Sequence, residues 1–228
     1  MSVSAVVPAA GKGKRLGTRV PKPYLRVLGK PLFIHTLRAL QKAYPFREIV
    51  LVVDASRTAR ARAELVRYGL RKVRLARGGA TRAESVRNGL LALRPGTQLV
   101  AVHDAARPLV SPVVMRRTIT AAKKAGAAIC VLPVSSTVKR LDPRTGAVRS
   151  TEDRRGLVLA QTPQVFDKTL LFSRYRALGR KAFRATDEAA LFDGTRVRVR
   201  AVPGDERNLK VTTRADLERM KRYLSNGQ

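Results

Sequence analysis

"SVSAVVPAAGKGKRLGTRVPKPYL", residues 2–25, is where the fold is decided. Val3–Val7 is a short apolar run with the pattern of a buried strand, and it runs into a loop of glycines and lysines. Where a helix would open, the chain meets Pro21 and Pro23, which disfavour a regular helix there. Two phosphate motifs are excluded. The dinucleotide fingerprint G-x-G-x-x-G fails because Gly11 and Gly13 are followed by Leu16, with the next glycine at Gly17. A Walker A loop fails in every frame. What remains is a strand feeding a glycine-rich, cationic turn. In a doubly wound sheet that turn lies at the carboxyl edge, where ligands bind. Glycines admit backbone N–H groups close to an anion, and Lys12, Lys14, Arg15 and Lys22 add cationic donors suited to a triphosphate.

Outward from this loop, apolar runs alternate with amphipathic ones. Strands are predicted over Val3–Val7, Ile49–Val53, Val73–Ala76, Leu99–His103, Ala128–Pro133, Gly156–Ala160 and Val197–Val202. Helices are predicted over Leu32–Ala43, Ser56–Tyr68, Arg82–Leu93, Pro112–Lys124, Asp167–Leu178 and Arg214–Leu224. Thr81–Glu84 and Thr213–Asp216 have capping-box spacing, and Ser111 stands before a first-turn Pro112. Continuous apolar strands alternating with helices predict an α/β fold with a doubly wound, mainly parallel sheet covered on both faces. One stretch breaks the pattern. Residues 134–160 hold two extended arms around "DPRTG", a turn sequence, and read as a β-hairpin projecting from a single domain spanning 1–228. A lone two-stranded ribbon is marginal in water, so a second subunit is expected to cover it.

Composition narrows the function. The chain has 228 residues, 44% of them hydrophobic, enough for a proper core. Lys+Arg 47 against Asp+Glu 16 gives a net charge of +31, which points to anionic partners. The basic residues are spread through the chain, as in "RTARARAELVRYGLRK", and read mostly as solvated helix faces. The single cysteine, Cys130, lies in an apolar run and reads as core, with no disulfide or cysteine metal cluster. No signal-like start and no membrane-length apolar run is present, so a cytoplasmic protein without a membrane partner is expected.

Four further segments complete the pattern: "GGATRAESV" (78–86), "VHDAARP" (102–108), "TPQ" (162–164) and "NLKVT" (208–212). Together with "PAAGKGKRLG" and the following Pro21-Lys22, this ordered set resembles the 2-C-methyl-D-erythritol 4-phosphate cytidylyltransferase family of the nonmevalonate isoprenoid pathway. The resemblance spans nearly the whole chain and implies a Rossmann-like nucleotidyltransferase fold. It also implies transfer of CMP from CTP to a methylerythritol phosphate, Mg²⁺ or another divalent cation as cofactor, and a homodimer with shared active sites. By this resemblance Arg15 and Lys22 stabilise the pentacoordinate phosphorus. Pro8, Ala9, Ala10, Gly11, Gly13, Gly78, Gly79, Arg82, Ser85 and Asp104 bind CTP, with Asp104 also the metal ligand. Asp104, Arg107, Thr137, Arg154, Thr162, Thr186, Asp187 and Lys210 hold the second substrate, Thr137 and Arg154 reaching into the neighbouring subunit's site. Lys210 orients the attacking phosphate, and the resemblance counts Arg154 and Lys210 with Arg15 and Lys22 as catalytic.

Two departures stand out: Ala80 where an acidic residue is common in the family, and Val158 where an aromatic one is often found. His35 and His103 receive no role. A ribitol 5-phosphate cytidylyltransferase is the nearest rival. A basic nucleic-acid-binding domain is the rival from another class, weakened by the lack of a nucleic-acid motif and by aromatics of only 5%.

Overall fold

The computed structural model describes residues 1–11 and 20–225. Among them a seven-stranded sheet forms around β1 (Val3–Pro8), which lies parallel to β4 (Ile49–Val53) on one side and β6 (Leu99–Val102) on the other. The alternation of side chains explains why the strand can be apolar throughout. Ala5 and Val7 pack into one core with Phe33, Leu37 and Met115, while Val6 packs into a second with Val86, Leu90 and Phe166. The exception, Ser4, is buried but shares a 2.8 Å hydrogen bond with Thr97.

Beyond β4 lies the parallel strand β5 (Val73–Arg77). Beyond β6 come β10 (Val158–Asp167), β7 (Ala127–Pro133) and β11 (Arg200–Pro203). β10 is antiparallel to both of its neighbours and β11 is parallel to β7, so the other described strands of this sheet share one direction. The helices α1 (Leu32–Ala43), α2 (Thr58–Arg67) and α4 (Pro112–Ala125) supply the first core, and α3 (Arg82–Leu91) and α5 (Lys168–Leu178) the second. α6 (Arg214–Ser225) packs Met220 against Leu32 and Leu109 in a smaller cluster. A short pair, β2 (Arg26–Val27) and β3 (Lys30–Pro31), leads into α1. No helix among the described residues is long and apolar enough to cross a membrane.

The expected caps form. Thr81 Oγ1 accepts from the Glu84 N–H at 3.1 Å, and Ser111 Oγ from the Val114 N–H at 3.3 Å. The box at α6 is reciprocal: Asp216 N–H donates to Thr213 Oγ1, and Thr213 N–H to the Asp216 carboxylate. The expected hairpin is β8 (Val138–Leu141) paired antiparallel with β9 (Val148–Glu152), a sheet separate from the main one.

Two predicted strands need correction. The expected Gly156–Ala160 strand starts at Val158 and continues to Asp167, crossing the centre of the sheet despite Pro163. Proline has no N–H to give the ladder, and the pairing with β7 shifts register between Ala160 and Gln164 to accommodate it. The expected Val197–Val202 strand begins only at Arg200. In place of a helix after the first loop, Lys22–Tyr24 forms a single 3-10 turn.

Candidate active site

β1, β5 and β6 point the same way, so the segments that follow them emerge at one edge of the sheet. Pro8–Gly11, Gly78–Thr81 and His103–Arg107 converge there, joined by the chain that leaves β11. The convergence depends on a missing side chain. A Cβ on Gly78 would stand 2.4 Å from the Ala10 Cβ, so only glycine lets these two segments touch. Ser85 ties the same turn to α3: its Oγ accepts from the Gly79 N–H at 3.1 Å and donates to the Thr81 carbonyl at 2.9 Å. Ala80 N–H donates to Glu84 Oε2 at 2.7 Å, so a carboxylate on α3 holds this turn.

These segments enclose a cavity of about 750 Å³. Pro8, Ala9, Ala10, Gly11, Gly79 and Ser85 line it with backbone and small side chains, and Lys22, Arg82, Asp104 and Lys210 with charge. Beside it lies a cavity of about 160 Å³, lined by Arg107, Thr162, Gln164, Thr186 and Asp187. Arg82, Asp104 and Lys210 line both. The two chambers therefore share a charged wall.

Asp104 is the centre of that wall. Its Oδ1 accepts from Arg82 Nε at 3.1 Å, its Oδ2 from Lys210 Nζ at 2.8 Å, and Arg107 Nε stands 3.7 Å from Oδ2. Burial alone would push its carboxyl up, but Arg82, Lys210 and Arg107 overcome this and hold it well below the usual carboxylate range.

The wall is braced from behind. His103 is fully buried, and burial pushes its imidazole down to about 4, so it is neutral at pH 7. Its Nε2 faces the Arg107 carbonyl at 2.9 Å, an acceptor only, so Nε2 carries the proton. Nδ1 then accepts from the Thr162 hydroxyl at 3.1 Å, and Thr162 Oγ1 accepts from the Asp104 N–H at 3.0 Å. Asn208, also fully buried, accepts at its carbonyl from Arg107 Nη1 at 2.7 Å and donates Nδ2–H to the Thr162 carbonyl at 2.7 Å. Val211 N–H donates to the Ala106 carbonyl at 2.9 Å, which docks the segment bearing Lys210. Gln164 on β10 donates to Asp187 Oδ2 at 2.8 Å and accepts from the Glu188 N–H at 3.0 Å, fixing the turn that carries Thr186.

Most of the expected residues thus meet at one edge. Gly13 and Arg15 lie outside the described residues. Thr137 and Arg154 line neither cavity; Arg154 donates to the Ser135 carbonyl at the base of the hairpin. His103, Gln164, Asn208 and Glu188 were given no role from sequence. His103, Gln164 and Asn208 lie within "VHDAARP", "TPQ" and "NLKVT", and Glu188 follows Asp187; nearness to predicted positions was the only signal they offered.

The residues from 3 to 226 match the family model described as IspD, 2-C-methyl-D-erythritol 4-phosphate cytidylyltransferase. The chain belongs to this family. Among its relatives, a 2-C-methyl-D-erythritol 4-phosphate cytidylyltransferase of Pelotomaculum thermopropionicum is 42% identical over 217 residues, covering 94% of this chain and 91% of that one. A bifunctional enzyme IspD/IspF of Anaeromyxobacter is 43% identical over 224 residues, and there the match takes in 97% of this chain but 57% of the relative. The crystal structure of 4-diphosphocytidyl-2C-methyl-D-erythritol synthase from Anaerococcus prevotii superposes with a TM-score of 0.84 at 32% identity, covering 98% of this chain and 96% of that one. The 2-C-methyl-D-erythritol 4-phosphate cytidylyltransferase of Thermus thermophilus gives a TM-score of 0.80 at 33% identity, with 99% and 100% covered.

Proposed function

We propose that this chain transfers CMP from CTP to 2-C-methyl-D-erythritol 4-phosphate, releasing pyrophosphate and giving 4-diphosphocytidyl-2-C-methyl-D-erythritol for isoprenoid precursor synthesis. The observation that carries this reading is the wall of Arg82, Asp104 and Lys210 common to a large chamber and a small one. Two anions brought to opposite sides of that wall meet at it. A phosphate oxygen of the polyol substrate attacks the α-phosphorus of CTP; the new P–O bond forms as the bond to the β-phosphate oxygen breaks, and pyrophosphate carries the charge away. No covalent enzyme intermediate is needed, so positioning and fixed cations supply the catalysis.

On this reading the larger chamber takes CTP, with Pro8–Gly11, Gly79 and Ser85 against the nucleotide, Gly78 behind them packed on Ala10, and Lys22 and Arg15 at the triphosphate. The smaller takes the polyol phosphate, with Arg107, Thr162, Thr186 and Asp187 around it and Lys210 orienting its phosphate. Asp104 is the residue that would hold a Mg²⁺ ion, with a carboxylate that in this structure accepts from Arg82 and Lys210. No group of three or more metal-ligating side chains stands among the described residues, and Mg²⁺ commonly uses one carboxylate with substrate phosphates and water completing its shell. Bound there, the cation neutralises charge on the triphosphate.

The hairpin supports a homodimer. Leu141, Val148 and Leu159 on the hairpin and its root are 54%, 62% and 56% exposed, an apolar surface that a second copy would cover. Thr137 and Arg154 then reach the neighbour's small chamber. The cytoplasm, where CTP is made, is the fitting location. The excess of basic charge serves two anionic substrates on this reading, with no nucleic acid involved.

The experiment is pyrophosphate release in the presence of CTP and Mg²⁺ with each polyol phosphate in turn. Release with methylerythritol phosphate and little with ribitol 5-phosphate is expected. Preference for ribitol 5-phosphate would transfer the assignment to the rival cytidylyltransferase, and silence with both would end it.

A further inference from the structure

Glu188 is a fully buried carboxylate behind the shared wall that the proposed chemistry does not require. It lines neither cavity, so it touches no substrate. Burial raises its carboxyl above the usual carboxylate range, and the Arg82 guanidinium offsets only part of this. All its side-chain contacts come from donors. Arg82 Nη1 reaches Oε1 at 2.9 Å and Oε2 at 3.1 Å, and the Tyr175 hydroxyl reaches Oε1 at 3.4 Å. That pattern suits an ionised carboxylate, which accepts and never donates. Its backbone is pinned as well, since the Glu188 N–H donates to Gln164 on β10.

Burying such a charge is costly, and a buried ion pair commonly gains nothing over apolar residues of the same size. Stability therefore gives no reason for Glu188 to be there. Geometry gives one. Arg82 Nη1 is held by Glu188 and Nε by Asp104 Oδ1, so two carboxylates on different elements fix the plane of one guanidinium. Its third nitrogen, Nη2, has no hydrogen-bond partner among the described residues, and the side chain is 25% exposed where the two chambers meet. An arginine with one partner keeps much of its rotamer freedom; held at two points it presents the remaining donors at a fixed place.

We infer that Glu188 is a positioning residue for the transfer step: it locks Arg82 against Asp104 so that Nη2 offers its N–H groups to phosphate oxygens at the boundary between the chambers. The inference rests on the cytidylyl-transfer reading above. It assigns the Glu of "TDEAALF" a role through Arg82, with no contact to substrate of its own.

The test compares wild type, Glu188→Gln, Glu188→Asp, Arg82→Met and the double variant Arg82→Met/Glu188→Gln. For each, kcat and the KM of both substrates are measured along with the midpoint of thermal unfolding. Glu188→Gln keeps the shape and loses the charge; its kcat should fall by about tenfold or more at temperatures where it stays folded, with Glu188→Asp recovering part of the loss. Adding Glu188→Gln to Arg82→Met should change kcat by less than about threefold, because a residue that works through Arg82 has nothing left to position. Arg82→Met by itself leaves the buried Glu188 without its cation, so this comparison is made at a temperature where thermal unfolding shows both Arg82→Met and the double variant folded, whatever the stability of Glu188→Gln alone. A kcat for Glu188→Gln within about threefold of wild type, or losses that simply multiply in the double variant, would overturn the inference. Wild type is the control for the reading beneath it: an inactive wild type takes both down, whereas an active wild type beside an unimpaired Glu188→Gln removes only the role of Glu188.

Discussion

Lys22 shows how one residue becomes decisive through position. It is 8% exposed in the 3-10 turn that replaces a helix, and it lines the larger chamber. A cation aimed at charge that develops only during reaction contributes on the order of 3 kcal/mol. Lys22→Ala should therefore lower kcat by about a hundredfold or more while leaving the unfolding midpoint near that of wild type. The same outcome is expected of Arg15→Ala, by the family resemblance alone. His103 acts differently, through its neutrality. Its folded pKa, near 4, lies below the free value of 6.5, so between these limits only the unfolded chain takes up the proton. Its contribution to stability is whole above pH 6.5 and is lost as pH falls toward 4, by up to about 3 kcal/mol. Urea unfolding across that range should show the loss in wild type and a shallower one in His103→Gln. An equal slope in both would remove His103 from the account.

At the scale of elements, the hairpin is the exposed exception in a well-covered fold. β8 and β9 pair only with each other, and Leu141 and Val148 stand open to solvent. Two strands alone are marginal in water, which is the physical reason to expect a neighbour on this arm. If the arm completes the other subunit's site, Arg154→Ala and Lys22→Ala describe defects in different parts of a shared site. Each homodimer should be nearly inactive. Each mixed dimer should regain about half of wild-type activity, since one of its two sites is intact, and a fully exchanged equal mixture about a quarter. Verified subunit exchange with no recovery would mean that each chain works alone.

At the scale of the whole molecule the charge dominates. A net +31 on 228 residues sets up a field that reaches about 10 Å at 0.1 M salt and draws in anions. Both proposed substrates are anionic. For each of them kcat/KM should fall steeply as salt rises from about 20 mM to about 300 mM, about tenfold or more, while kcat at saturation changes little. A flat kcat/KM would assign the charge to something other than substrate capture.

The sequence by itself settled the alternation of strands and helices, the caps at Thr81, Ser111 and Thr213, the hairpin around "DPRTG", and the ordered segments that carry the family resemblance. All of these rest on local information: hydrophobic period, capping spacing, turn chemistry and motif order. The passage of β10 through Pro163 to Asp167 was not legible, because local propensity counts against proline in a central strand and only the register shift against β7 allows it. Nor could sequence show the wall of Arg82, Asp104 and Lys210, or Glu188 behind it. Arg82 and Glu188 are 106 residues apart, and glutamate is ordinarily an exposed residue. Their pairing exists only because β6, α3 and the turn after α5 are brought to one sheet edge. Burial and electrostatics are properties of that packing, and no local window of the chain contains them.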